Sequence, residues 1–448
     1  MDIFAFLPSF GNSILVVLAF VVALSVIVAI HEYGHYIVGR WSGIHAEVFS
    51  LGFGPVLWAR DDKRGTKWQI AAIPLGGYVR FKGDSNAASG KDGAAMEGLS
   101  EDELRSTMHG APLWARTATV AAGPVFNFVL SILIFAIVLM SNGKVGESLI
   151  VGELRELPNV SYTLRPGDEV LAIDGQALPS LGNGEAYDRF WEEMTKANPL
   201  PYQVRRADEV IEVTGPYLYP PIVLQLAPKS AAYGAGLQVG DVFTAIDGKP
   251  IVAFSELKDA VENGDGRTLM LTVNRAGEEQ DIALTPRRVD EPQADGGFQT
   301  YWRIGIGGGL AFEPATESLG PRAAVWSGVQ QTGRIIEGSI SGLYHMITGA
   351  ISSCNLSGPV GIAQTSGAMA SQGVQSFVWF IAVLSTAIGM LNLFPIPVLD
   401  GGHLVFYAYE AVTGKPPSDG ALRVLMTMGL IIVLGLMLFG LTNDLFCP

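Results

Sequence analysis

Cysteine and positive charge are both scarce in this chain, and each shortage removes a class of protein. The two cysteines, Cys354 and Cys447, cannot make a disulfide framework or a thiolate zinc site. One bridge between them is open, and two independent thiols is the reading adopted. Lys and Arg number 29 against 43 Asp and Glu, a formal charge of −14. Phosphate binding needs a basic surface, so nucleic acid is excluded as a partner. No Lys or Arg precedes Arg40, so the charged opening of a secretory signal is missing. The first apolar run is also too long for a signal core, and it reads as a retained membrane span.

Apolar residues are what the chain has in plenty, and they are clustered. They make up 49% of 448 residues, enough chain for two to four structural units. A mean hydropathy of +0.32 is high for a soluble protein. Runs at 14–38, 117–140, 374–393 and 422–441 are each long enough to cross about 30 Å of hydrocarbon. Basic residues crowd the loop from Arg40 to Arg116, and Lys415 and Arg423 follow the third run, while both chain ends have none. Both termini and the long segment 141–373 are therefore expected outside the cytoplasm.

That outer segment carries a duplication. Pro166-Gly167-Asp168 followed by Leu171-Ala172-Ile173-Asp174-Gly175 recurs as Val239-Gly240-Asp241 followed by Thr244-Ala245-Ile246-Asp247-Gly248, every position shifted by 73. Gly-Asp opens a strand, alternating apolar residues fill its inner face, and Asp-Gly makes the tight turn after it. The pattern resembles the PDZ domain, which binds extended peptides by strand addition. A spacer or size filter is the plainer alternative.

Elsewhere, 45–60 and 66–81 read as strands, with Trp58, Trp68 and Ile73 apolar enough for a sheet dipping into the membrane interface. Residues 84–106 are polar and expected to be mobile. Scattered apolar residues over 322–351 suit amphipathic helices, and Ser357-Gly358-Pro359-Val360-Gly361 breaks any helix. The expected fold is a multi-pass α-helical membrane protein with four transmembrane helices, a membrane-associated β-sheet loop and two tandem PDZ-like α/β domains. In order these are helix one at 1–40, the cytoplasmic-side β loop at 41–115 and helix two at 116–141. PDZ-like domains follow at 145–219 and 220–309, then an amphipathic helical segment at 310–373. Helix three lies at 374–402 and helix four at 421–442.

The chemistry centres on His31-Glu32-Tyr33-Gly34-His35. Residues four apart share a helix face, so both imidazoles can meet one metal, with Glu32 beside it as general base. Zinc lowers the pKa of a water it holds toward about 7. A catalytic zinc usually has three protein ligands. Asp400 is the best third candidate, because Pro395 and Pro397 break the helix before it and such backbone survives at membrane depth only inside protein or around a wet cavity. His403 and Glu410 compete for that place, and Asp400 could instead cap a helix. Asn392 could cap a broken helix or join two spans; Asn127, in Gly123-Pro124-Val125-Phe126-Asn127, carries the same ambiguity and does not enter the candidate set.

Several motifs together resemble the bacterial site-2 protease family of intramembrane zinc metalloproteases, over essentially the whole chain. They are HExxH closing the first span, Asn392-x-x-Pro395-x-Pro397-x-Leu399-Asp400-Gly401-Gly402, the paired repeats, Gly52-Phe53-Gly54 and Pro74-Leu75-Gly76-Gly77-Tyr78-Val79. The resemblance implies that His31, His35 and Asp400 bind Zn2+, that Glu32 is the catalytic acid and base, and that Asn392 hydrogen-bonds the substrate backbone. It implies single-span membrane substrates, such as anti-sigma factors after a first cleavage and remnant signal peptides. It also implies a bacterial inner-membrane location, with the repeats periplasmic and the active site toward the cytoplasm. Two other classes remain at this point, a silent membrane scaffold and a zinc transporter. Neither needs Glu32 beside the metal.

Overall fold

The computed structural model describes residues 7–447 except 86–95, 147, 159–160, 180–185, 187–188, 191–192 and 294–296. Much of the loop expected to be mobile at 84–106 lies outside the described residues. Two compact units are formed, Met1–Val138 with Arg322–Pro448, and Leu139–Pro321.

In the first unit, α1 (Leu7–Trp41) leads into β1 (Ala46–Asp61), β2 (Lys67–Phe81) and α2 (Leu113–Asn142). After the second unit come α3 (Pro321–Ile347), α4 (Pro359–Ser371), α5 (Val374–Asn392), α6 (Asp400–Thr413) and α7 (Asp419–Phe446). Among the described residues four helices are long and apolar enough to cross a membrane: Ser13–Trp41, Leu113–Asn142, Val374–Asn392 and Asp419–Phe446.

Exposed apolar side chains and a buried, mostly small stripe mark α1 and α2. On α1, Ile14, Val17, Leu18 and Val22 are exposed, as suits contact with lipid, while Ala19, Ala23, Ile27 and His31 are buried at every fourth position. The buried stripe of α2 likewise recurs every four residues, through Thr119, Gly123, Asn127 and Ser131. Hydroxyls stitch α2 to α5. Ser131 Oγ donates to Ala382 O at 2.8 Å, and Ser385 Oγ donates to Asn127 O at 2.9 Å. Hydrocarbon gives no hydrophobic drive between helices, so close contact of small residues and such bonds hold the bundle.

The β1–β2 hairpin is anchored at its base, where Phe49, Val79 and Phe81 pack with Tyr36, Ile44, Met108 and Ala115. Toward its tip Phe53, Leu57, Trp58 and Ile73 are exposed, an apolar surface of the kind expected to meet lipid.

Ser357–Gly361 does interrupt the helices, yet it also starts one. Gly358 caps α4 and Pro359 takes its first position, where a missing N–H costs nothing. The reading of two independent thiols is corrected: Cys354 and Cys447 are joined across 93 residues. Their neighbours explain the meeting. Asp444 accepts from the N–H groups of Gly358 and Gly361, and Asn443 donates to the carbonyls of Ser353 and Leu356. The end of α7 thus caps α4, with the two cysteines flanking that contact.

In the second unit the duplication is structural. The first copy has β3 (Val151–Leu154), β4 (Glu169–Ile173), β5 (Gln176–Ala177), β6 (Leu200–Arg206) and β7 (Glu209–Gly215), and its four-stranded sheet runs β5-β4-β6-β7. The second has β8 (Val242–Ile246), β9 (Lys249–Pro250), β10 (Leu269–Arg275) and β11 (Glu278–Leu284), ordered β9-β8-β10-β11. Both turns sit in left-handed backbone, with φ of 51° and 79° at Asp174-Gly175 and 49° and 75° at Asp247-Gly248. Each copy also buries an Asp under an Arg fork, Asp168 with Arg206 and Asp241 with Arg275. Burial alone would raise the Asp168 carboxyl, but the Arg206 bonds outweigh it and hold the group below the usual carboxylate range. Finally β12 (Phe312–Pro314) pairs with β3, and Phe312 enters the first copy's core. The first copy is therefore completed by chain from beyond the second.

Candidate metal centre

Three donors from distant parts of the chain converge in the first unit. His31 Nε2 and His35 Nε2, one turn apart on α1, lie 3.1 Å from each other. Asp400 Oδ2 stands 3.2 Å from the first and 3.5 Å from the second. In a tetrahedral site with bonds of roughly 2.0–2.1 Å, neighbouring ligand atoms are about 3.3 Å apart. The three edges here bracket that value. Asp400 Oδ2 is also buried and receives no well-angled hydrogen bond, a costly state for a carboxylate unless a cation meets it. Two imidazoles and one carboxylate form a common catalytic zinc set.

The route by which Asp400 arrives is local. After α5 ends at Asn392, the two prolines deny a regular helix, and the chain doubles back to open α6 at Asp400. A Cβ at Gly401 would collide with the carbonyls of Leu393 and Phe394, and one at Gly402 with that of Ile396. Only glycine lets the loop fold so tightly onto the helix start.

Behind the imidazoles lies the small stripe of α2. His35 Nδ1 meets Thr119 O at 2.9 Å, and His31 Nδ1 meets the Asn127 amide at 3.1 Å. Between them a Cβ at Gly123 would collide with His35 Nε2 and come 2.8 Å from His31 Cε1. The sequence reading leaves Asn127 outside the candidate set, although the chain carries a signal for it. Residues 119, 123 and 127 share one face at the same four-residue spacing as the two histidines.

The chain matches the profile of peptidase family M50 over residues 19–436. The chain belongs to peptidase family M50. A relative from Agrobacterium fabrum, provisionally named a zinc metalloprotease, is 36% identical over 433 residues, covering 96% of this chain and 95% of its own length. A similarly named protein of Rhizobium meliloti is 36% identical over 427 residues, 95% of each chain. The regulator of sigma-E protease RseP of Salmonella typhimurium is 31% identical over 456 residues, covering 95% of this chain and 97% of its own. The protein is thus a zinc metalloendopeptidase of the membrane.

In this M50 peptidase Glu32 sits beside the donors rather than among them. Gly77 of β2 abuts Val28 and Glu32, and the Val79 backbone lies against the Glu32 carboxylate. The hairpin edge and the acid therefore face one space. Asn392 is the last residue of α5, and its Nδ2 donates to Ile388 O at 3.1 Å; among the described contacts it does not touch the three donors. Of the competing ligands, Glu410 is held by both terminal nitrogens of Arg116, at 3.0 and 2.7 Å. His403 is not among the residues whose donor atoms gather at the centre.

Proposed function

We propose that this M50 peptidase hydrolyses peptide bonds within the membrane segments of single-span proteins, with zinc held by His31, His35 and Asp400. The observation that carries this reading is the set of edges between Nε2, Nε2 and Oδ2, which matches a tetrahedral zinc site on a membrane helix. Bound zinc polarises a carbonyl and makes water a better nucleophile at neutral pH. The rest falls to the chain. Glu32 takes the proton from water and returns it to the leaving amine. Asn392 and the edge of β2 near Gly77 and Val79 hold the substrate backbone in extended form. Unwinding is needed because a helical substrate keeps its carbonyls in internal hydrogen bonds.

The substrates we infer are stubs left by an earlier cleavage, such as anti-sigma factors, and remnant signal peptides. The duplicated β units act as PDZ-like domains that exclude proteins with bulky outer parts. In proteoliposomes, a single-span substrate trimmed to a short outer tail should be cut on the order of tenfold faster than one with its folded outer domain. Equal rates would remove the size filter; no cutting of either would overturn the intramembrane reading.

The same proposal sets the protein in a bacterial inner membrane, with termini and repeats in the periplasm. The Cys354–Cys447 bridge supports it, since structural disulfides persist in oxidising compartments. In intact cells opened to the periplasm, a membrane-impermeant maleimide should label neither cysteine until reductant is added, and then both. Labelling only after lysis would put that end of α7 in the cytoplasm.

A further inference from the structure

The second contact behind the metal site contains a mismatch. Asn127 is fully buried, its Nδ2 stands 3.1 Å from His31 Nδ1, and its Oδ1 has no hydrogen-bond partner. An imidazole that gives the Nε2 lone pair to a metal keeps its proton on Nδ1, which must then donate. An amide nitrogen facing that N–H would set donor against donor. The two ends of an amide are nearly identical in shape, so a half-turn places Oδ1 where Nδ2 stands without moving any neighbour. Either orientation leaves one amide atom partnered and one not. The histidine therefore decides.

His35 shows the rule without ambiguity. Its Nδ1 faces Thr119 O at 2.9 Å, and a carbonyl can only accept. His35 Nδ1 is thus the protonated nitrogen, and Nε2 is free for the metal. Thr119 and Asn127 lie two helical turns apart on α2, one behind each imidazole. The Asn127 backbone is gripped from α5 through Ser385 Oγ and from its own helix through Ser131 Oγ. Gly389 of α5 packs against its Cβ.

We propose that Asn127 is a positioning residue for the metal centre, its Oδ1 accepting from His31 Nδ1–H and so fixing the tautomer whose Nε2 faces the ion. The inference rests on the zinc reading given above and adds the group that orients one ligand. It predicts a division between acceptors and all other side chains at position 127. Asn127→Asp, which can only accept, keeps zinc near wild-type affinity. Asn127→Ala leaves the N–H unpaired and the ring free to turn, and weakens zinc by about 10- to 100-fold, as loss of an outer partner does.

The test is competition for zinc between a chromophoric chelator and the purified full-length protein in detergent, with fold monitored by helical circular dichroism. Nitrogen-15 spectra of the histidines accompany it, and they should report His31 protonated at Nδ1 in the zinc-loaded wild type. Undiminished affinity in Asn127→Ala overturns the proposal. So does an Asn127→Asp protein that folds yet loses zinc as badly as the alanine variant. If the alanine variant fails to fold, Asn127→Asp decides alone. A wild type that holds no zinc, or a His31→Ala variant that holds it undiminished, would instead sink the metal-site reading itself.

Discussion

Glu32→Gln is expected to keep zinc at the wild-type level while peptide hydrolysis falls by about 10²- to 10⁴-fold, the usual worth of a positioned acid or base. Glutamine fills nearly the same volume against Gly77 and Val79, so packing is preserved. It cannot take up a proton. Because Glu32 is not one of the three gathered donors, the metal should not notice the change. Zinc content by atomic absorption, measured with cleavage of a single-span substrate under single turnover, separates the two properties. Undiminished cleavage would remove Glu32 from the reaction; lost zinc would make it a ligand.

Asp400→Ala should cost both zinc and activity. It takes away the only carboxylate in the set and leaves two imidazoles, so the affinity loss should exceed the 10- to 100-fold that an outer partner costs. Among the described residues, neither competitor named above is placed to substitute. Glu410 is committed to Arg116, and His403 lies outside the donor group. Equilibrium dialysis against zinc gives the answer. Full occupancy would mean another ligand completes the site, and His403, one turn along α6, would be the first to replace.

What sequence could supply followed the range of the physical signal. A run such as 14–38 is long, and its hydropathy alone marks the span that the structure extends over Ser13–Trp41. The 73-residue shift located β4 and β8 in register, because Gly-Asp and Asp-Gly impose local backbone that any context must respect. The pairing of His31 with His35 follows from helical spacing. Contacts between remote segments left weaker traces. The bond between Cys354 and Cys447 depends on Asp444 capping α4, and the strand Phe312–Pro314 depends on a partner more than a domain away. The contact between Asn127 and His31 joins two helices, so the helical spacing visible within each says nothing about which faces meet. Pro359 reads equally well as a breaker or a first residue; the Asp444 carboxylate settles it by receiving the helix's opening N–H groups.

Glu410, ten residues past Asp400, is tied to α2 by the Arg116 guanidinium, which also rests on the Tyr407 ring. The helix bearing the third donor is therefore fastened at both ends, by a glycine-lined fold at its start and a forked ion pair about 15 Å further on. Such a strut has little freedom to swing when a guest arrives. Under the proposed function deformation falls on the guest, and sequences that unravel easily should be chosen over stiffer ones of equal hydrophobicity.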